Sequence, residues 1–231
     1  MTTLSKLKVR GPIIGLVFTL TSIFGIGTAL AEQQPSSGFL DPAIEAKMKK
    51  AKLPSGKTAM RWFSSEVNSK NYHAIMVDRV IFYPAPNPGP QISSSTLDAI
   101  AQHFTYSLRQ KIGDKLSVVD KAGPGILRMQ PAITAVTVKK EGLSAKDILP
   151  VHLLFSAASS ASGHMDENVT TMVEVRVTDS VSGENRGAAK FALEGKQLKG
   201  EKDQLQLQNL QGALDTAAAN GAGALHMAMS R

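Results

Sequence analysis

LDAIAQHFTYSLRQKI, residues 97–112, is the stretch around which the rest of the chain can be placed. Its apolar residues recur at intervals of three and four, which puts them on one face of a helix. They are Leu97, Ile100, Ala101, Phe104, Leu108 and Ile112. Ser95 and Asp98 predict a reciprocal cap at the start of this helix, and Gly113 predicts its end. The apolar face has to lie against something, and the flanking segments are the natural partner.

The flanking segments are rich in β-branched and aromatic residues, which is typical of strands with a buried face. Three strands are predicted here, over residues 72–83, 116–120 and 126–138. A strand, a helix and a strand in this order usually form a parallel, right-handed unit. Pro131 lies in the third strand and indicates a bulge or an edge position, because proline cannot donate a hydrogen bond to a neighbouring strand.

The C-terminal part of the chain completes the predicted fold. Residues 171–179 alternate apolar and polar side chains, and residues 186–194 return as their hairpin partner. A final helix follows, and Gly221 and Gly223 predict its end. The sequence therefore predicts an α/β (α+β) fold: a single mixed β-sheet with a βαβ unit, a C-terminal hairpin and helices packed on one face.

The first 31 residues have the parts of an export signal. A basic start precedes an apolar run over residues 12–26. Ala29 and Ala31 then supply the small residues that a signal peptidase reads, so cleavage is expected before Glu32. A retained membrane anchor is the alternative, although the run is short for a span of about 20 residues.

Length and composition indicate one globular domain after this signal. We expect residues 1–31 to be a cleavable signal peptide, 32–70 a linker with a short helix, and 71–231 a single α/β domain. Three of the 26 basic residues and none of the 19 acidic ones lie in the signal, so the formal net charge falls from +7 to +4 without it. Such a weak charge does not imply a nucleic-acid partner.

The chain has no cysteine. It therefore folds without disulfides, and it offers no cysteine for acylation after signal cleavage. Export without cysteine favours a bacterial periplasm. We expect a periplasmic or envelope-associated protein that is not acylated.

Asp41 and Pro42 predict a short helix in the linker, with Asp41 as its cap and Pro42 in its first turn. Four lysines are expected at the C-terminal end of this helix, where the helix dipole favours cations. They are Lys47, Lys49, Lys50 and Lys52. A charged surface helix is one interpretation, and contact with anionic lipid or polymer is the other.

The candidate partner-binding residues are apolar and fall in two stretches. They are Phe39, Leu40, Leu153, Leu154 and Phe155. The first two lie close to the expected mature start. The last three belong to an apolar segment, residues 146–163, that either packs over one side of the sheet or forms a lip for a partner or an apolar ligand.

Several short motifs keep their order over nearly the whole mature chain. They are Ser37-Gly38-Phe39-Leu40, residues 72–80, Gly123-Pro124-Gly125-Ile126-Leu127-Arg128 with Ala132-Ile133-Thr134, Leu149-Pro150-Val151, Ser162-Gly163, residues 173–179 and Ser182-Gly183-Glu184. In these motifs the chain resembles a bacterial family of uncharacterised periplasmic or lipoprotein-like proteins, domain of unknown function 3313. The resemblance implies an envelope protein, since many members look like outer-membrane-directed lipoproteins, and it implies no particular activity. The chain departs from the family in lacking a lipobox cysteine, and in having Asp41-Pro42-Ala43 where the family tends to carry an acidic residue followed by tyrosine.

Patterns for catalysis or metal binding are weak. Residues 51–58, AKLPSGKT, fit only the loosest form of a phosphate-binding loop, since a helix is predicted before them and alanine replaces the first glycine. No two histidines have the i, i+4 spacing of a zinc motif, and the G-x-S-x-G motif is absent from the sequence. The histidines are His73, His103, His152, His164 and His226. We expect no catalytic residue, no metal and no cofactor.

The function that the sequence favours is therefore non-enzymatic. We expect an exported periplasmic protein that binds an envelope protein or the membrane surface, or that assists an assembly there. The alternative is a periplasmic carrier of an apolar ligand or lipid, with residues 149–155 as a lid. The sequence identifies neither the partner nor the oligomeric state.

Overall fold

Eight strands form one open, mixed sheet in the part of the chain that the computed structural model describes, residues 36–53, 55–86, 88, 92–140, 167–196 and 204–231. At residues 136–140 and 167–168 the backbone alone is described. The strands are β1 (Lys49–Lys52), β2 (Thr58–Phe63), β3 (Ala74–Val77), β4 (Ile81–Phe82), β5 (Ser117–Val119), β6 (Ile126–Lys140), β7 (Glu167–Asp179) and β8 (Asn185–Glu194). Their order across the sheet is β1-β2-β8-β7-β6-β3-β5, and β4 pairs with β6.

Both the parallel and the antiparallel parts of the predicted sheet are present. Strand β3, the helix α2 (Ser94–Gly113) and strand β5 form the βαβ unit, with β3 parallel to both β5 and β6. Strands β7 and β8 form the C-terminal antiparallel hairpin, and β7 also pairs antiparallel with β6. The predicted fold class is confirmed.

Two long helices cover one face of the sheet. Helix α2 and the C-terminal helix α3 (Leu207–Met229) share a hydrophobic core with the inward-facing residues of β6 and β7. All six residues of the predicted apolar stripe on α2 are buried. The cap lies two residues earlier than predicted: the Ser93 side chain accepts a hydrogen bond from the Thr96 amide, while Asp98 pairs with Arg79 at 2.9 Å.

The opposite face of the sheet is covered by the segment 36–48, which contains the short helix α1 (Pro42–Glu45). As predicted, the Asp41 carboxylate caps this helix by accepting a 2.7 Å hydrogen bond from the Ala43 amide. A second hydrophobic cluster forms beneath the segment, with Ala132 and Ala188 of the sheet in its floor. Of the helices that the structure describes, α1 lies on this face and the two long ones on the other.

The N-terminal region contributes two strands to the sheet. The segment after α1 is wrongly predicted as helix, since Lys49–Lys52 is the edge strand β1. β1 pairs with β2, and β2 pairs with β8, so two strands of the sheet lie within the range assigned to a linker and a short helix. Pairing along the sheet outweighs the helix propensity of a lysine- and alanine-rich run.

The predicted strand 72–83 is in fact two short strands, β3 and β4, that pair in succession with β6. Pro131 lies opposite the gap between them, because β3 ends opposite Met129 and β4 begins opposite Ala132. The proline therefore sits within an interior strand and not at an edge, and the bulge in β6 comes later, between Ile133 and Ala135. A missing donor is tolerated there, where β3 and β4 leave a gap in the pairing.

Helix α3 continues through Gly221 and Gly223 to Met229, so the predicted end at the glycines is wrong. The residues beyond them extend its buried side, with Leu225, Ala228 and Met229 all in the core. Burial of these side chains outweighs the cost of about 1 kcal/mol for a glycine inside a helix.

Candidate functional site

Phe39 and Leu40, the first candidate partner-binding residues, are buried within the chain. Leu40 is only 1% exposed, and both residues belong to the cluster beneath the segment 36–48. The Phe39 ring lies 5.6 Å from the Tyr83 ring, and the Arg176 guanidinium lies 5.4 Å above it. These side chains are therefore used by internal contacts. Partner binding by Phe39 and Leu40 stays a prediction, and it would require the segment to leave the sheet.

The other predicted site residues lie outside the described part of the chain. These are Leu153, Leu154 and Phe155 in the apolar segment, and Ala29, Ala31 and Glu32 at the expected cleavage site. Their assignments stay predictions.

A row of lysines lines one edge of the sheet. We call Lys47, Lys49, Lys50 and Lys52 the lysine edge; all four are exposed, and the last three belong to strand β1. β1 pairs with β2 on one side only, so this is the outer edge of the sheet. Among the described residues, no carboxylate pairs with any of these four ammonium groups. Within the described ranges, the positive charge of the edge is therefore not neutralised.

Trp62, the only tryptophan of the chain, adjoins the lysine edge. The Lys47 ammonium lies 5.0 Å from the centroid of the Trp62 ring. Lys50 pairs with Met60, and successive residues alternate between the faces, so Lys50 and Lys52 share the Trp62 side of the sheet. The indole is partly exposed, which leaves a cationic and aromatic surface open to solvent.

A buried ionic cluster lies beneath the segment 36–48. The Glu174 side chain is 1% exposed, and Lys190 lies directly opposite it on β8, with its Nζ 3.5 Å from a Glu174 oxygen. Ser37 and Thr134 donate hydrogen bonds to the Glu174 carboxylate at 2.9 and 3.1 Å. Lys190 Nζ is also 3.5 Å from Glu45 of α1. Because Ser37 and Glu45 belong to the covering segment, the cluster fastens that segment to the sheet.

Sequence reasoning missed this cluster. The alternation of β7 correctly separates Glu174 from the valines of the opposite face, but it says nothing of what covers each face. The one available signal was the hairpin register, which sets Glu174 opposite Lys190 and so predicts an opposite-charge pair. That pair could have been found, but its burial depends on a segment 137 residues away in sequence.

His103, Ser107 and Asp215 meet between α2 and α3. Ser107 Oγ donates to Asp215 Oδ1 at 2.5 Å, and His103 Nε2 lies 2.8 Å from the same oxygen. His103 Nε2 is also 3.4 Å from Ser107 Oγ. In a catalytic triad the serine and the aspartate contact different imidazole nitrogens, and the serine gives its proton to the imidazole. Here both face Nε2, and the serine donates to the carboxylate.

The arrangement of these three residues therefore suits a contact between helices and not nucleophile activation. The hydrogen bond from Ser107, helped by His103, lowers the pKa of Asp215 against the opposing effect of burial. The carboxylate is thereby stabilised in its charged form, in which it links α3 to α2.

A second polar network closes the end of the C-terminal hairpin. Arg186 Nε donates to the Tyr72 hydroxyl at 2.9 Å, and that hydroxyl donates to Asp179 at 3.0 Å. Burial raises the pKa of Tyr72. Asp179 also accepts hydrogen bonds from the Ser182 and Val181 amides, which lower its pKa.

A shallow depression lies between the ends of α2 and α3, lined by Ile112, Leu116, Leu225, Met229 and neighbouring residues. Its space of about 20 Å³ suits a water molecule and not an acyl chain. The carrier hypothesis, whose predicted lid lies outside the described residues, stays a prediction. Within the described ranges no three metal-ligating side chains come together, and no helix there is both long and apolar enough to cross a membrane.

The sequence of this chain is similar to those of uncharacterised proteins. The sequence model of the family described as "Protein of unknown function (DUF3313)" matches residues 35–220. The chain is 26% identical over 201 residues to the uncharacterized lipoprotein YdcL of Escherichia coli strain K12, which covers 86% of this chain and 89% of that protein. The protein of the same description in E. coli O157:H7 matches to the same extent.

Solved structures show only a loose likeness. A putative neuraminyllactose-binding hemagglutinin homologue from Helicobacter pylori has a TM-score of 0.39 at 10% identity, over 71% of this chain and 86% of that one. The PelC dodecamer from Paraburkholderia phytofirmans has a TM-score of 0.37 at 10% identity, over 75% of this chain and 99% of that one. Likeness at this level supports no statement about function.

Proposed function

This chain belongs to the DUF3313 family of proteins of unknown function, as its motifs indicated, and on that premise we propose that it is an exported, non-enzymatic binding protein of the bacterial envelope. Its relatives include uncharacterised lipoproteins, which indicates an exported, envelope-associated protein. The more specific role that we propose is to bind a partner in the envelope or to assist an assembly there.

The proposal is supported by the contacts of the acidic and basic side chains, which join elements of the fold to one another. The Ser107–Asp215 contact joins two helices, and the Glu174–Lys190 pair fastens the segment 36–48 to the sheet. Arg186, Tyr72 and Asp179 hold the hairpin end in the same manner. Each grouping stabilises the fold through contacts within the chain, which is what a rigid binding scaffold requires.

We further propose that the signal peptide is cleaved before Glu32 and that the mature protein carries no acyl group. The sequence has Ala29 and Ala31 at the positions read by a signal peptidase, and it has no cysteine to acylate. Intact mass measurement of the protein from its host envelope tests both points. A mass beginning at Glu32 is expected, whereas a retained leader or the added mass of an acyl chain would contradict the proposal.

In-cell photocrosslinking tests the binding role. A photoreactive residue at position 155 probes the predicted contact segment, and one at Val181, which is 66% exposed at the hairpin turn, is the matched control. We expect a discrete crosslinked protein from position 155 that is absent from position 181. No product at 155, or the same products at both positions, would show that the segment does not bind a partner.

A further inference from the structure

The lysine edge concentrates positive charge where the sheet ends. By the alternation of β1, Lys49 lies on one side of the strand and Lys50 and Lys52 on the other. The nearest acidic residue in sequence, Glu45, is directed at Lys190 and not at the edge. The edge therefore presents unneutralised charge on both sides of the strand, as a body resting edge-on against an anionic surface would need.

Trp62 adds a second observation. Tryptophan is enriched at membrane interfaces, because its ring is apolar while its N–H is polar. Here the only indole of the chain is partly exposed beside Lys47, on the side of the sheet that also carries Lys50 and Lys52. Lysine and tryptophan together are the pair of residue types that anchor proteins at the level of lipid headgroups.

From these two observations we propose that the lysine edge and Trp62 form a docking surface for anionic phospholipid. The proposal rests on the envelope location proposed above and specifies how the protein associates with a membrane. Electrostatic attraction to the headgroups supplies the affinity, and Trp62 inserts at the headgroup level. Membrane association then requires no acyl chain, which accords with a chain that has no cysteine.

Two other occupants fit the edge less well. An added peptide strand would use the free backbone edge of β1, but lysines on an edge strand oppose such pairing. A purely anionic polymer would use the charge and make no use of the exposed part of the indole, whose other part packs on the cluster beneath the segment 36–48. A phospholipid surface uses both features.

Vesicle binding tests the proposal on the protein as its host exports it. Phosphatidylcholine vesicles with and without equal parts of phosphatidylglycerol are mixed with the protein and sedimented. We expect binding that requires phosphatidylglycerol, weakens as salt is raised, and shifts the Trp62 fluorescence to shorter wavelength. Because Trp62 is the only tryptophan, the shift reports directly on the proposed surface.

Two triple variants with the same change in charge locate the surface. The first replaces Lys49, Lys50 and Lys52 by glutamine. The matched control replaces Lys111, Lys115 and Lys121, which are also exposed and lie at the end of α2 and on either side of β5, at the opposite edge of the sheet. We expect the first to lose on the order of a hundredfold in partitioning, from several-fold per lysine, and the control to lose far less.

The outcomes are decisive in both directions. Arginine at positions 49, 50 and 52 should retain binding, and thermal melts should show both glutamine variants folded. No sedimentation at low salt, equal losses in the two glutamine variants, or an unchanged Trp62 emission on bound protein would each overturn the proposal. Crosslinking from position 155 is independent of the lysine edge. A crosslinked partner without vesicle binding would contradict only the lipid-docking surface. Vesicle binding without a crosslinked partner would contradict only the partner-binding role.

Discussion

The two faces of the sheet are held by different kinds of interaction. Beneath α2 and α3 the core is apolar, with Phe104, Leu127, Val173 and Leu214 all fully buried. Beneath the segment 36–48 a much smaller apolar cluster surrounds the buried carboxylate of Glu174 and the ammonium of Lys190. One face is stabilised mainly by removing apolar surface from water, and the other also depends on satisfying buried charges.

This difference explains what each cover can do. A long amphipathic helix buries a continuous apolar stripe, and this burial holds the helix on the sheet without specific polar contacts. A short segment buries little, so its position depends on a few specific contacts, of which Ser37 and Glu45 provide two. We therefore expect the helix-covered face to unfold only together with the whole fold, and the segment 36–48 on the other face to open locally.

Truncating one fully buried side chain on each face should show the largest effects. Phe104→Ala in α2 is expected to lower the free energy of unfolding by about 3–5 kcal/mol. Leu40→Ala is expected to cost about 2–3 kcal/mol, because the segment 36–48 can relax around the space left behind. Denaturant unfolding measures both values, and hydrogen exchange should show faster opening confined to the segment in the Leu40 variant.

Tyr106→Ala provides the baseline for this pair, since Tyr106 lies on α2 and is 63% exposed; its change should stay within about 0.5 kcal/mol. If Leu40→Ala costs as much as Phe104→Ala and unfolds the whole chain, the two faces are one cooperative core. The segment 36–48 would then not open independently of the helix-covered face.

Removing one member of the buried ionic cluster should come next in size. Glu174→Ala takes away the carboxylate that faces Lys190 and accepts from Ser37 and Thr134, and it is expected to cost about 3 kcal/mol. Replacing Glu174 and Lys190 together by methionine should recover most of that loss, because neither member of the pair then remains as a lone buried charge; Glu45, which also faces Lys190, keeps contact with solvent. Denaturant unfolding of the three proteins provides the measurement.

Glu194→Ala is the matched control for the ionic cluster. Glu194 lies on the same hairpin as Glu174 and pairs with Lys57, but its side chain is 71% exposed, so its loss should cost less than about 0.5 kcal/mol. An equal cost at positions 174 and 194 would mean that burial adds nothing to the Glu174 contact.

The helix-covered face is the part of the fold that the sequence predicts well. Six apolar positions from Leu97 to Ile112 define the buried side of α2, and all six are buried, because a local period of 3.6 residues directly encodes that side. Even here the helix ends depend on more than local signals. The cap is Ser93 and not the predicted Ser95, and α3 continues past its predicted end at Gly221.

The opposite face could not be predicted in the same way. The lysines after α1 read as a helix end, yet they form an edge strand because β2 is available to pair with them. Phe39 and Leu40 were recognisable as an apolar cluster, but their burial depends on Ala132 and Ala188, which lie far along the chain. The meeting of Ser107 with Asp215 has the same origin, since it requires the mutual placement of two helices. Long-range placement of this kind leaves no periodic trace in a single sequence.

The smallest effect should come from the polar contact on the helix-covered side, and it should depend on pH. Ser107 donates to Asp215, whose side chain is 43% exposed, so solvent limits the value of the contact to about 1 kcal/mol. The folded pKa of Asp215 is lowered, chiefly by Ser107, so its contribution is present above the unfolded pKa of about 3.9 and is lost as pH falls through the folded value. The stability difference between wild type and Ser107→Ala should therefore be full near neutral pH and shrink below about pH 4.

Ser94→Ala, an exposed change at the start of α2, is the control and should show little effect at any pH. A Ser107→Ala cost that persists unchanged in acid would show that the Asp215 carboxylate is not the partner of Ser107.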